Sequence, residues 1–196
     1  MKRVMMALSV LLIVTQAWGQ SHELIVNGGP DTLPGQAFPR NKYNVDSGAL
    51  KFFLDKPSKE CPGWTVTRGT VILYDWEAEP RPPRYLSHYF NLENCGGLSQ
   101  TIDTIYGHHY RLTFRGFWGI TGKSVADKGK TALTVSVGPG QQKDFDVPPM
   151  VEPYGPDDPQ EQTYLFTAAG PKTTIEFYAA KSAFGPSISD IHCIEY

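Results

Sequence analysis

At residues 109–115 the chain reads HYRLTFR, a stretch in which apolar and polar side chains alternate without a break. Tyr110, Leu112 and Phe114 fall on one side, and His109, Arg111, Thr113 and Arg115 fall on the other. Successive side chains of a β-strand point to opposite faces, so this pattern predicts a strand with one buried face. The same alternation recurs at residues 131–137, 162–168 and 173–179.

Weaker patterns of this kind extend the prediction to about ten strands. The additional candidates are residues 23–26, 49–54, 64–74 with a break at Gly69, 85–92, 98–102 and 189–196. No window of eleven or more residues carries a convincing 3.6-residue apolar period, so helices are expected to be single turns at most. Short, one-sided strands predict an all-β fold in which two antiparallel sheets pack face to face as a β-sandwich of jelly-roll type.

Glycine and proline, at 19 and 16 of the 196 residues, mark the expected loops. Three long loops are predicted, at residues 27–47, 76–84 and 138–160. Three prolines between residues 80 and 83 exclude an interior strand there, because proline donates no ladder hydrogen bond. We expect one domain over residues 20–196, with these loops as its least regular parts.

Charge and motif content exclude several function classes. Lys and Arg number 18 against 20 Asp and Glu, and no basic run suggests a nucleic-acid partner. The chain has no Gly-x-Ser-x-Gly motif, and its five histidines have no recognisable catalytic spacing. A pair of distant carboxylates remains open as a glycosidase alternative, but no such pair stands out, so we do not expect an enzyme.

Residues 1–19 have the layout of a secretory signal peptide. Lys2 and Arg3 precede an apolar run over residues 4–14, and small residues flank the expected cleavage site after Gly19. A retained anchoring helix is the alternative, although the run is shorter than the ~20 residues of a membrane span. We therefore expect a secreted, extracellular protein with no membrane span.

Three cysteines make a disulfide permissible in a secreted chain. Cys61 and Cys95 lie beside Pro or Gly at expected loop ends, and this pair is favoured. Cys193 alternates with Ile191 and resembles a small buried hydrophobe. The other two pairings stay open, and no spacing suggests a zinc site.

The order of the motifs resembles the DUF642 family. The resemblance rests on LIVNG (24–28), PGWTV (62–66), GLSQTI (97–102), GHHYRLTF (107–114), TIEF (174–177) and GPSISDI (185–191). It implies a galactose-binding-like β-sandwich of the kind also seen in bacterial carbohydrate-binding modules. The chain departs from the family where Gly29-Pro30-Asp31 displaces the usual acidic residue, and in the long loop after Val137.

Sugar binding is the leading functional hypothesis. A sugar site combines an exposed aromatic platform with polar side chains that bind the ring hydroxyls. The predicted ligand-binding residues are Trp76, Tyr85, Tyr89 and Trp118, with Asp75 and Arg84 as polar partners. The expected partner is extracellular polysaccharide or cell-wall glycan. The alternative is a matrix or adhesion protein that holds a protein partner through the same loops.

The resemblance also implies a structural calcium ion where the N-terminal loop meets the last strand. Carboxylate oxygens suit this hard cation, and the predicted ligands are Asp31 and Asp190. Asp190 could instead cap a turn. His108 and His109 are not expected to share a metal, because adjacent strand residues point to opposite faces.

Overall fold

The structure is a computed structural model that describes nine ranges of the chain. They are residues 22–28, 43–46, 49–57, 59, 61–75, 88–117, 132–147, 161–180 and 185–196. Across these ranges, no helix is long and apolar enough to cross a membrane.

Twelve strands make up most of the described residues. They are β1 (Tyr43–Asp46), β2 (Ala49–Asp55), β3 (Thr65–Arg68), β4 (Thr70–Asp75), β5 (His88–Asn91), β6 (Gly97–Asp103), β7 (His109–Phe117), β8 (Leu133–Val137), β9 (Gln142–Phe145), β10 (Glu161–Thr167), β11 (Lys172–Ala179) and β12 (Ser187–Glu195). The four segments with the cleanest alternation are all strands. The predicted all-β class is confirmed.

The strands form two antiparallel sheets. One has seven strands in the order β1-β2-β4-β5-β12-β7-β10, and the other has five in the order β3-β6-β11-β8-β9. The predicted break at Gly69 is where the chain leaves the five-stranded sheet in β3 and enters the seven-stranded sheet in β4. The two-sheet β-sandwich that the sequence predicted is therefore present.

The core lies between the sheets and is built from the apolar half of each alternation. Phe114 of β7 packs edge-to-face against Phe145 and Phe177, with ring centroids 5.1 and 5.2 Å apart. Leu133, Val135 and Val137 of β8 are fully buried, as predicted. Cys193 is buried in the same cluster, which confirms its predicted apolar role. Burial of this apolar surface is the main force that holds the sheets together.

Two of the predicted loops contain a short strand. β1 lies within residues 27–47, and β9 lies within residues 138–160. β9 has three exposed polar residues and one buried residue, Phe145, so its pattern is too short to be read from sequence. It pairs with β8 through a tight turn in which Val137 N donates to Gln141 O at 2.8 Å. Residues 29–42, 47, 76–84 and 148–160 of these loops lie outside the described ranges.

The segment at residues 23–26 was predicted as a strand, but it has no strand assignment. It is still tied to β12 by isolated bonds: Leu24 N donates to Cys193 O, and Ile191 N donates to Gly28 O at 2.7 Å. Gln100 holds its other side, because its amide group exchanges two hydrogen bonds with the backbone of Val26. The N-terminal segment therefore meets the last strand, as the family resemblance implies.

Candidate functional site

The outer face of the seven-stranded sheet, which points away from the core, divides into two halves with different chemistry. Around β4, β5 and the start of β12, its side chains are mostly buried. Around β7, β10 and the end of β12, they are mostly exposed. Two residues, Arg115 and Asp190, lie at the boundary.

In the buried half, three aromatic rings pack against one another across strands. Tyr74 and Tyr89 are directly paired and stack, with centroids 4.7 Å apart and planes at 11°. Tyr89 also meets Phe117 edge-to-face at 5.2 Å. Its side chain is only 3% exposed. Tyr89 was predicted as an exposed sugar platform, and this structure corrects that prediction: the ring is a packing residue.

Polar side chains lie next to these rings on the same face of the sheet. Asn91 and Ser187 are paired across β5 and β12, and Asn91 Nδ2 donates to Ser187 Oγ at 3.0 Å. The same amide donates to Gly185 O at 3.1 Å. Two buried oxygens, Asn91 Oδ1 and Ser189 Oγ, have no hydrogen-bond partner within the described ranges. This half is therefore a packed, partly polar layer.

At the boundary, a β-bulge interrupts β12 between Ser189 and His192, and Asp190 adopts a left-handed φ of 48°. Its carboxylate pairs with Arg115, with 3.2 Å between Oδ2 and Nε. Asp31, the other predicted calcium ligand, lies outside the described ranges. No cluster of three or more His, Cys, Asp or Glu residues suited to a metal ion occurs among the described residues. Calcium binding at this junction stays a prediction.

The exposed half contains a set of three cross-strand pairs that we name the β7–β10 patch. The pairs are Thr113–Thr163, Arg111–Leu165 and His109–Thr167. Leu165 is 54% exposed although it is a large apolar residue. Tyr196 follows β12 next to the patch. Its ring is 60% exposed and lies 6.2 Å from the His109 ring. An exposed aromatic ring thus adjoins hydroxyl, imidazole and guanidinium groups on one outer face of the sheet.

Arg111 is the distinctive residue of the patch. The ladder places it between Leu165 on β10 and Ile194 on β12, and its side chain is exposed. Nothing in the described part of the chain forms an ion pair or a side-chain hydrogen bond with it. Its five N–H donors are therefore available to an external acceptor.

The outer face of the five-stranded sheet gives a direct contrast, because its polar side chains pair with one another. Arg68 binds Glu176 through two hydrogen bonds of 3.0 and 3.1 Å. Lys172 Nζ contacts Asp103 at 2.6 Å, and Thr134 donates to Asp144 at 2.6 Å. Arg68 and Lys172 on this face are thus ion-paired, whereas Arg111 on the other outer face has no such partner among the described residues.

The predicted loop residues lie next to described strand ends. Asp75 ends β4 and is paired with His88 of β5, so Trp76, Arg84 and Tyr85 belong to the connection between these two neighbours. Trp118 follows the end of β7. Because β4 and β7 run in opposite directions in the sheet, these two connections begin at opposite ends of it. The side chains of these residues lie outside the described ranges.

The described thiols and imidazoles do not form a nucleophilic site. Burial raises the pKa of the Cys61 thiol to about 12, and burial with the nearby Glu23 charge raises the pKa of Cys193 to about 12. Such thiols stay protonated and unreactive at neutral pH. His108 and His192 contact Glu195 and Glu23 at 2.7 and 3.0 Å. The predicted Cys61–Cys95 disulfide is not formed in the structure, in which all three cysteines are free.

A shallow depression of about 180 Å³ lies between the β8–β9 turn and the β10–β11 turn. Val137, Pro139 and Thr173 are among the residues that line it. Small-molecule sites typically enclose roughly 300–1,000 Å³. A flat or loop-borne surface is therefore a better candidate than this depression.

The family model described as "Protein of unknown function (DUF642)" matches residues 41–194. The chain belongs to the DUF642 family. The resemblance seen in the ordered motifs is thus confirmed. No curated protein matches the sequence of this DUF642 protein.

Several solved structures are similar to this DUF642 protein at low identity. A family 35 carbohydrate-binding module from Clostridium thermocellum is 17% identical, with 67% of this chain and 90% of that chain covered and a TM-score of 0.43. The family 35 module from Paenibacillus barcinonensis is 15% identical, with 72% and 96% covered and a TM-score of 0.43. A GH115 4-O-methyl-α-glucuronidase is 10% identical, with a TM-score of 0.43. The match covers 57% of this chain but spans only 15% of that enzyme.

The residues of the β7–β10 patch were not predicted as ligand-binding. The signal was present, because the alternation at residues 109–115 assigned His109, Arg111 and Thr113 to the outward face. The sequence alone does not show which residues of β10 and β12 lie beside them, because that depends on the order of the strands in the sheet.

Proposed function

We propose that this DUF642 protein is a secreted, non-catalytic carbohydrate-binding protein that recognises extracellular or cell-wall glycan. The observation that carries the proposal is the β7–β10 patch with the adjacent Tyr196. An exposed aromatic ring beside the unpaired donors of Arg111 is the combination that a sugar requires, because a pyranose has an apolar face and a rim of hydroxyls.

The open position of the patch on the outer face of a sheet also supports a polymeric ligand. Three registered pairs lie on the open face of a sheet, where residues two positions apart are about 6.8 Å apart along a strand. A long chain can lie across such a face without being enclosed. The two buried thiols and the two histidines bound to glutamates support a binding role without turnover.

Loop aromatics form the second part of the proposal. Under this hypothesis Trp76, Tyr85 and Trp118, with Asp75 and Arg84 as polar partners, make further contacts with the sugar. Since their connections begin at opposite ends of the sheet, single substitutions can separate their contributions from that of Tyr196.

The test is a glycan array with the purified secreted chain, followed by competition with free sugar. We expect Tyr196→Ala to reduce binding at least fivefold. Tyr178→Ala, on the outer face of the five-stranded sheet, is the matched control and should leave binding unchanged. Trp76→Ala and Trp118→Ala measure the loop contribution in the same assay.

The rival function is adhesion to a protein partner. Absence of signal for every glycan on the array, with circular dichroism showing a folded β-protein, would overturn the carbohydrate proposal. Release of sugar product or cleavage of an arrayed glycan would overturn the non-catalytic part alone.

A further inference from the structure

We infer that the β7–β10 patch selects acidic polysaccharide, through an ion pair between Arg111 and the carboxylate of a uronic acid unit. This inference rests on the proposed carbohydrate-binding function and adds the chemical class of the ligand. The first supporting observation is the charge of the patch. The chain carries 20 Asp and Glu residues, yet the three pairs of the patch contain Arg111 and His109 and no acidic residue, and the only acidic residue on this face of the β7–β10 ladder, Glu161, is paired with Arg115.

The guanidinium of Arg111 has the geometry for this role. Its planar fork of N–H donors matches the two oxygens of a carboxylate, so both hydrogen bonds form at once. Arg68 shows this arrangement within the protein, since it binds both oxygens of Glu176 on the opposite outer face. Arg111 has no such internal partner in the described ranges, and so its charge is free for a ligand.

The neighbours of Arg111 suit a sugar that bears the carboxylate. Thr113 and Thr163 present hydroxyl groups on the row beside it, and Tyr196 presents a ring face at the end of the patch. The ladder places Arg111 between two apolar residues, Leu165 on β10 and Ile194 on β12. A carboxylate next to ring hydroxyls is what a uronic acid unit offers.

The low density of positive charge on the patch favours a carboxylated glycan over a heavily sulfated one. A heavily sulfated polymer presents several charges on each repeat and is bound by clusters of basic side chains. The patch has a single Arg, and its nearest charged neighbours along β7 and β12 include the Arg115–Asp190 pair, which is already neutralised. One permanent cation between apolar neighbours fits one carboxylate on each sugar unit.

The experiment uses polyglucuronate and its carboxyl-reduced form, in which each carboxylate is converted to a neutral hydroxymethyl group. Isothermal titration of the wild type should show at least tenfold tighter binding to polyglucuronate, a factor that corresponds to about 1.4 kcal/mol. Arg111→Gln should remove this preference. Arg111→Lys should keep part of it, because charge remains but the two-pronged geometry is lost.

Arg68→Gln is the matched control on the other outer face and should keep the full preference. Dextran sulfate is the third ligand, and tighter binding to it than to polyglucuronate would overturn the inference. Equal affinity of the wild type for the acidic and reduced polymers, or an unchanged preference in folded Arg111→Gln, would also overturn it. In those cases carbohydrate binding still stands. Only the absence of binding to every glycan contradicts the proposed function itself.

Discussion

The indole Nε1 of Trp64 donates a hydrogen bond of 3.0 Å to the carbonyl oxygen of Asn27, which lies 37 residues earlier in the chain. Asn27 has a φ of 55°, and its side-chain amide donates to Pro62 O at 2.6 Å. The Trp64 ring packs on Phe90 and Phe177 from opposite sheets. A single side chain thus joins the N-terminal segment to the core between the two sheets.

Replacement of Trp64 should separate these two roles. Trp64→Phe keeps an aromatic ring but removes the donor, and we expect it to lower the free energy of unfolding by about 1–3 kcal/mol. Trp64→Ala also leaves a cavity, and the expected loss is about 3–5 kcal/mol. Urea unfolding measures both. Tyr106→Ala, at a side chain that is 77% exposed, is the control and should change stability by less than about 0.5 kcal/mol.

Gly185 and Gly107 allow two reasons for a glycine to be compared: a lack of space for a Cβ atom and a positive φ. A Cβ at Gly185 would lie 1.5 Å from the carbonyl oxygen of Leu92, so Gly185→Ala requires the backbone to move. Gly107 has open space around it but a φ of +79°, and Gly107→Ala should cost only about 1–2 kcal/mol. Thermal unfolding should rank Gly185→Ala far below Gly107→Ala. A Gly185→Ala protein as stable as the wild type would contradict the close approach of these two segments.

Tyr89 tests the corrected prediction. Because its ring is buried between Tyr74 and Phe117, Tyr89→Ala should lower the free energy of unfolding by about 3–5 kcal/mol. Tyr196→Ala should instead weaken glycan binding and leave the free energy of unfolding nearly unchanged. Denaturant unfolding and glycan titration on both variants make the comparison. A stable Tyr89→Ala protein that had lost glycan binding would restore the original assignment.

The three cysteines should react differently with a thiol reagent. Cys95 is exposed, while Cys61 and Cys193 are buried with pKa values raised to about 12. Ellman's reagent at neutral pH should therefore detect one thiol in the folded protein and all three after unfolding without reductant. Cys95→Ser should abolish the folded-state signal. Detection of only one thiol after unfolding would support the Cys61–Cys95 disulfide instead.

The same two thiols predict a loss of stability in alkali. In the folded state they hold their protons up to about pH 12, whereas in the unfolded chain they lose them near the ordinary pKa of 9.0. Unfolding therefore releases protons between these values, and stability falls as pH rises from about 9 to 12. The expected slope is about 1.4 kcal/mol per pH unit for each thiol. Urea titrations over this range measure how the free energy of unfolding changes with pH. For Cys193→Ala this dependence should be weaker than in the wild type by the contribution of one thiol. An identical pH dependence in both proteins would contradict the raised pKa of Cys193.

The core of the sandwich was predictable because it depends on local alternation. Tyr110, Leu112 and Phe114 follow from period two alone, and so does the outward position of Arg111. Gly69 was recognisable as a break because glycine tolerates the φ of +43° found there. These features need no knowledge of which strand is the neighbour.

The candidate site was less predictable because it depends on strand order and on short elements. β9 has four residues, of which only Phe145 is buried, so no period can be read from it. Tyr89 alternates with Phe90 and so points away from the core. Its burial follows from packing against Tyr74 and Phe117, and Phe117 lies two strands away. The neighbours of Arg111 come from strands more than 50 and 80 residues further along the chain.

The central position of β12 has a consequence for the order of folding. This last strand separates β5 from β7, so each of these strands lacks one hydrogen-bonded neighbour until residues 187–195 have been synthesised. Pairing over such sequence distances is slow, and open strand edges invite aggregation while they last. Cotranslational folding of the seven-stranded sheet is therefore excluded before this segment leaves the ribosome. The nascent chain has to be kept apart from other chains until its final strand closes the gap.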